Sequence, residues 1–126
     1  MAGNFEDLKC WQHCSKLKLY LKDEVLPKLP SNEKFDLYSQ IRRASRSSTA
    51  NIAEGWGRYH YNDQIRFLII ARGSISEILD HIIEASHWNY VDDKTLDNVR
   101  ERTNSCMKLI NGYIRFLRKN NNENKK

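Results

Sequence analysis

Cysteine is scarce in this chain and oddly numbered: Cys10, Cys14 and Cys106 are all there are. Three thiols argue against a disulfide framework and for a reducing compartment, so a cytoplasmic location is expected. Cys10 and Cys14 share a helix face, but no C-x-x-C pair or second ligand cluster accompanies them, so no metal is expected. Free cysteine then serves as a small core hydrophobe. Proline and glycine are also few, at two and five of 126 residues. No apolar run approaches the roughly 18 residues that a membrane-spanning helix needs. The opening stretch "MAGNFEDLKCWQHC" has no apolar h-region and no cleavage signature, so no secretory signal is expected. Strand-like alternation and internal repeats are missing as well.

Catalytic signatures are equally thin. There is no serine–histidine–acid set and no glycine-rich phosphate loop, and "EGWGR" lacks the strand and the Lys-Ser/Thr of a P-loop. The histidines His13, His60, His81 and His87 form no H-x-x-x-H pair. Neither an enzyme nor a cofactor is expected.

What is present is helical periodicity. Cys10, Cys14, Leu17, Leu21 and Val25 recur at a spacing of three to four, with Leu8 and Trp11 widening the stripe, and predict a helix from about Glu6 to Leu26. Pro27 and Pro30 end it. Ser31 or Asn32 can cap a second helix, which carries Leu37, Ile41, Ala44, Ser48 and Ile52 and ends near Gly55 and Gly57, where a left-handed residue can close it. A third starts at the capping pair Asn62–Asp63 and buries Leu68, Ala71, Ile75, Ile78, Leu79, Ile82 and Ile83. In its central Gly73–Ser74 pair the glycine costs about 1 kcal/mol against alanine and predicts close approach of a neighbouring helix. The fourth, capped by Asp92 or Asp93, repeats Leu96, Val99, Thr103, Cys106, Ile110, Tyr113 and Leu117 without a miss. Three short links make neighbouring helices antiparallel. The expected fold is all-α, an up-down-up-down four-helix bundle over residues 1–119, followed by a polar tail at 120–126 that is expected to be disordered. A chain of this size buries roughly two-thirds of its unfolded surface, enough for one core.

The formal net charge is +5, with a pI of about 9.2. It divides as +1 over residues 1–30, +2 over 31–61, −2 over 62–91 and +4 over 92–126. Such asymmetry suits an anionic partner, RNA or DNA, and equally a solvated basic face. Within "QIRRASRSSTANIAEGWGR", Arg42 and Arg46 project together and Arg43 flanks them. Guanidinium forks suit phosphate. The opposing reading pairs them with Asp63, Glu77, Asp80 or Glu84 of the third helix. Arg66 and Arg72 of that helix are possible additions to the patch. Arg58 lies beside Trp56, Tyr59 and Tyr61, which either stack on bases or seal the end of the bundle. Arg115, Arg118 and Lys119 suit the negative end of the fourth helix. Asn51 and Glu54 are read as cross-helix hydrogen-bonding groups that fix register. The small residues from Ala44 to Ala53 leave the second helix with two quiet faces, which predicts an oligomer.

Three blocks, "FEDLKCWQ", "QIRRASRSSTANIAEGWGR" and "FLIIARGSISEI", together resemble the bacterial four-helix bundle protein family. That family includes proteins encoded in intervening sequences of large-subunit ribosomal RNA genes and the accessory variability determinant of diversity-generating retroelements. The resemblance covers about residues 5–118 and rests on the NIAEG block combined with Gly73, Ser74 and Glu77. It departs at Arg46 and Thr49, which makes the patch more basic than is usual. It implies a four-helix protomer, a ring-like homopentamer, a positive surface and no known catalysis; Gln40, Asn51, Glu54, Gly55, Gly73, Ser74 and Glu77 are read as structural or interface positions. Arg42 and Arg43 are the charged contacts it carries over. In the retroelement branch it implies nucleic acid and a reverse transcriptase as partners, so a protein-interaction scaffold is the alternative function.

Overall fold

The computed structural model describes residues 3–124, with side chains described through Asn121. Four helices form: α1 (Lys9–Tyr20), α2 (Leu37–Trp56), α3 (Tyr61–His87) and α4 (Asp93–Asn124). Each packs against the next, and α4 closes the ring against α1. Cross-helix contacts fix their directions. Ser47 meets Ser74 while Gly55 meets Gln64, so α2 and α3 are antiparallel. Leu8, just before α1, shares a cleft with Trp56 at the end of α2, and Asn62 meets Asn121, so α1/α2 and α3/α4 are antiparallel too. The bundle runs up-down-up-down, as the short links predict.

The periodic stripes are the core. Cys10, Cys14, Leu17, Leu21, Val25, Leu37, Ile41, Ile52, Leu68, Ile75, Ile78, Ile82, Val99, Cys106 and Ile110 are all buried. Leu79, Ile83 and Tyr113 are only partly buried against that cluster. No described helix is long and apolar enough to cross a membrane.

The ends depart from expectation in instructive ways. After Tyr20 the helical path widens into a π turn over Leu21–Val25, with the Leu26 amide donating to the Leu21 carbonyl, before Pro27 enters a 3-10 turn. The wide turn keeps both Leu21 and Val25 inside. Neither Ser31 nor Asn32 caps α2. The Glu33 carboxylate accepts from the Leu37 amide at 3.3 Å, and it also accepts the Tyr90 hydroxyl at 2.9 Å, tying two connections together at one end. Asn62 and Asp63 do not cap α3, which begins at Tyr61 after an uncapped His60. Asp92 does cap α4, accepting from the Thr95 amide at 2.8 Å. Hydrogen bonds from Thr95 hold the Asp92 carboxyl below its ordinary pKa. Neither Gly55 nor Gly57 is left-handed. Among the described residues the left-handed one is Asn89 (φ 61°), closing α3. Its amide donates to Ser86 O at 3.0 Å, and Tyr90 N–H donates to Ala85 O at 2.9 Å, the paired bonds of a Schellman end. α4 runs on to Asn124, through most of the stretch expected to be a disordered tail; residues 125–126 lie outside the described residues.

The two conspicuous glycines reverse their expected roles. A Cβ on Gly55 would stand 3.0 Å from the Gln64 carbonyl oxygen and 3.3 Å from Phe67 Cβ. A Cβ on Gly73 would meet nothing within 4 Å. The close approach is therefore at Gly55, where α3 begins beside the end of α2, and within the protomer Gly73 faces open space. Gly55→Ala is expected to destabilise by about 1–3 kcal/mol through overpacking. Gly73→Ala is expected to stabilise the protomer by up to about 1 kcal/mol, by helix propensity. Thermal melts of the two variants should move in opposite directions.

Candidate nucleic-acid interface

The small residues of α2 are spent inside the protomer. Ala44, Ser45, Ser48 and Thr49 are buried, Ser47 and Ala53 are half-buried, and only Ala50 is exposed. They let α2 sit close to both α1 and α3, so the second quiet face belongs largely to this bundle. Asn51, expected to bond across helices, bonds within α2 instead: its amide donates to the Ser47 carbonyl at 2.8 Å and to Ser47 Oγ at 3.0 Å, while the bond that crosses the seam is Ser74 Oγ donating to Ser47 Oγ at 2.8 Å. That bond fixes register between α2 and α3, with Ser47 as the link that sequence reading missed. Glu54 does not take part. It is exposed and pairs with Arg58 on its own chain segment at 3.3 Å. Glu77 likewise turns to His81, one helical turn on, at 3.0 Å, and Gln40 is half-buried.

Packing against α1 and α3 turns the arginines of α2 outward. Arg42, Arg43 and Arg46 are exposed, and no carboxylate among the described residues lies within 4.0 Å of them. Asp63, Glu77, Asp80 and Glu84 do not reach across. The Arg42 guanidinium lies 5.9 Å from the centre of the Tyr38 ring. Arg42 and Arg46 line a groove between α2 and α1 with its π turn, whose opposite wall carries Lys18 of α1 and Lys22 of the π turn. These lysines were legible as an i, i+4 pair, but nothing local says which helix they face.

The other basic residues form a separate group. Arg46 and Arg58 are twelve residues apart, roughly 18 Å along a helix axis. Arg58 is already engaged, with Glu54 and with the Phe67 ring at 4.6 Å; Arg66 covers the same ring at 5.2 Å. Arg115, Arg118 and Lys119 are exposed near that end, where Asn121 meets Asn62. Arg72 is half-buried, and its Nε is buried without a hydrogen-bond partner. Trp56 and Tyr61 line a cleft with Leu8, Tyr113 and Phe116 at the bundle end, whereas Tyr59 is 91% exposed.

The three thiols are buried. Among the described residues no group of three or more His, Cys, Asp or Glu side chains is placed to hold a metal ion. Burial pushes the Cys10 thiol up to about 11 and the Tyr113 phenol up to about 12. The hydrogen bond with Cys106, and then burial, push the Cys14 thiol far above the ordinary range. A group whose folded pKa is raised favours folding below its unfolded pKa. For Cys10 that contribution is complete below pH 9.0 and is lost as pH rises towards 11. Chemical denaturation should therefore show stability falling above pH 9, and iodoacetamide should label the three thiols only after unfolding.

No curated protein matches the chain. Residues 6–112, carrying α1 to α3 and most of α4, match the model of one family. The match takes in both the arginine-bearing α2 and the Ser47–Ser74 seam. The chain belongs to the 23S rRNA-intervening sequence protein family.

Proposed function

We propose that this protein is a non-enzymatic, self-associating helical bundle that binds RNA or DNA through its phosphates. One observation carries the reading: Arg42, Arg43 and Arg46 stand together on α2, exposed and without a carboxylate within 4.0 Å among the described residues. Internal ion pairing was the competing use for them. Three unneutralised guanidiniums within about one helical turn supply phosphate contacts that carry no sequence information. Binding is expected to be salt-sensitive and nearly sequence-independent. Affinity for a mixed-sequence RNA and a mixed-sequence DNA, measured at low and high salt, tests it. A flat salt response, or no binding at low salt, would discard the reading.

The self-association part rests on α3. Ile69 and Ile70 are 46% and 45% exposed, and Gly73 beside them opens to space. This outer face suits a second copy of the chain, and the homopentamer implied by the family resemblance is the expected assembly. Light scattering that returns a monomer at micromolar concentration would contradict it.

A further inference from the structure

We propose that the groove between α1 and α2 holds one unstacked nucleotide of a single strand, with phosphates on Lys18, Lys22, Arg42 and Arg46 and the base against Tyr38. This rests on the nucleic-acid reading above and adds which form of nucleic acid is bound, and where. The groove has a volume of about 490 Å³, within the usual range for small-molecule sites. Its two walls each carry two cations one helical turn apart, and its floor is apolar, with Leu21 and Leu26. Unlike the α1/α4 groove, where Glu101 stands with Lys16 and Arg102, it is lined by no carboxylate among the described residues.

The cations are poised for an anion. Lys18 Nζ donates to Thr49 Oγ1 at 2.9 Å, which fixes the ammonium and leaves two of its three protons free. Among the described residues Lys22 has only Asp23, 4.0 Å away, and both are well exposed, so a phosphate displaces that contact at little cost. A purely electrostatic surface would need no leucine floor and no ring. A duplex keeps its base faces stacked inside and offers the groove only phosphates. A single strand offers a free π-face, which stacks on aromatic rings and on guanidinium planes alike. Here the Arg42 guanidinium lies over the Tyr38 ring, 5.9 Å from its centre, so an entering base would stack on this pair. Leu19, 52% exposed, extends the apolar rim.

Fluorescence anisotropy on the full chain at low salt tests this, using labelled oligothymidylate alone and annealed to oligoadenylate. The single strand should bind about tenfold more tightly than the duplex. Tyr38→Ala should weaken single-strand binding by about five- to a hundredfold and leave the duplex unchanged, while Tyr38→Phe should retain binding. Lys22→Glu, at a side chain 73% exposed and so without consequence for folding, should weaken single-strand binding at least about fivefold. Equal or tighter duplex binding, or single-strand affinity unmoved by both Tyr38→Ala and Lys22→Glu, overturns the groove proposal and leaves phosphate binding standing. Thymidine monophosphate binding as tightly as the strand also overturns it, making the occupant a free nucleotide. No binding of either probe by the unaltered protein overturns both readings.

Discussion

Reversing Arg42 and Arg43 to glutamate is expected to lower affinity for every RNA or DNA sequence tested, by on the order of a hundredfold at 0.1 M salt. Each phosphate neutralised by a protein cation contributes about −0.9 to the slope of log affinity against log salt on duplex DNA, and about −0.7 on single strands. Two such contacts near 0.1 M amount to between one and two log units, and the added carboxylates repel what remains. The slope itself should become shallower by about one to two. Sequence preference should not change, because phosphate contacts position without specifying. The folded protomer should hardly notice: both side chains are exposed and neither has a carboxylate partner among the described residues, and surface changes of this kind stay within about 0.5 kcal/mol. Titrations at two salt concentrations, with a urea melt as control, measure all three quantities. An unchanged affinity and slope in a folded variant would remove these arginines from the interface.

The second large effect concerns the core. Ile52→Ala should destabilise the protein by about 2–5 kcal/mol, a large share of the roughly 5–15 kcal/mol that a domain possesses. Ile52 is fully buried in α2, between the close-packed turns at Ser48 and Gly55. Its neighbours cannot collapse into the vacancy, because the α2/α3 seam is held by the Ser74–Ser47 bond and by the backbone approach at Gly55. The urea midpoint should fall at an unchanged m-value. Ile70→Ala is the matching control. Ile70 is 45% exposed, so its loss should cost the protomer little, while the proposed assembly through the outer face of α3 should weaken. Denaturation and light scattering on the pair separate core from interface. If Ile52→Ala melted like the unaltered protein, the packing assigned to α2 would be wrong.

The stripes were legible because they are local. A helix returns to the same face every 3.6 residues, so Leu96, Val99, Thr103, Cys106, Ile110 and Leu117 could only be buried together, and they are. Short links between helices of this length leave antiparallel neighbours as the simplest solution, so element number, order and direction followed from sequence. The exposure of Arg42, Arg43 and Arg46 was half legible: their shared face was, their freedom from Asp63, Glu77, Asp80 and Glu84 was not.

What only the tertiary structure decided are the questions of which surfaces meet and at what distance. Gly55 and Gly73 look alike in sequence; one stands against the Gln64 backbone and the other against nothing. Glu54 sits among alanines as a core polar group would, yet it faces solvent and pairs with Arg58. The small residues of α2 suggested a docking face and instead close the protomer's own seams. The α1/α2 groove joins Lys18 and Lys22 to Arg42 and Arg46 across some twenty residues of chain, and no window along one helix contains both walls. Periodicity assigns each residue a face; helix rotation and separation, set by packing of the whole core, decide what that face meets.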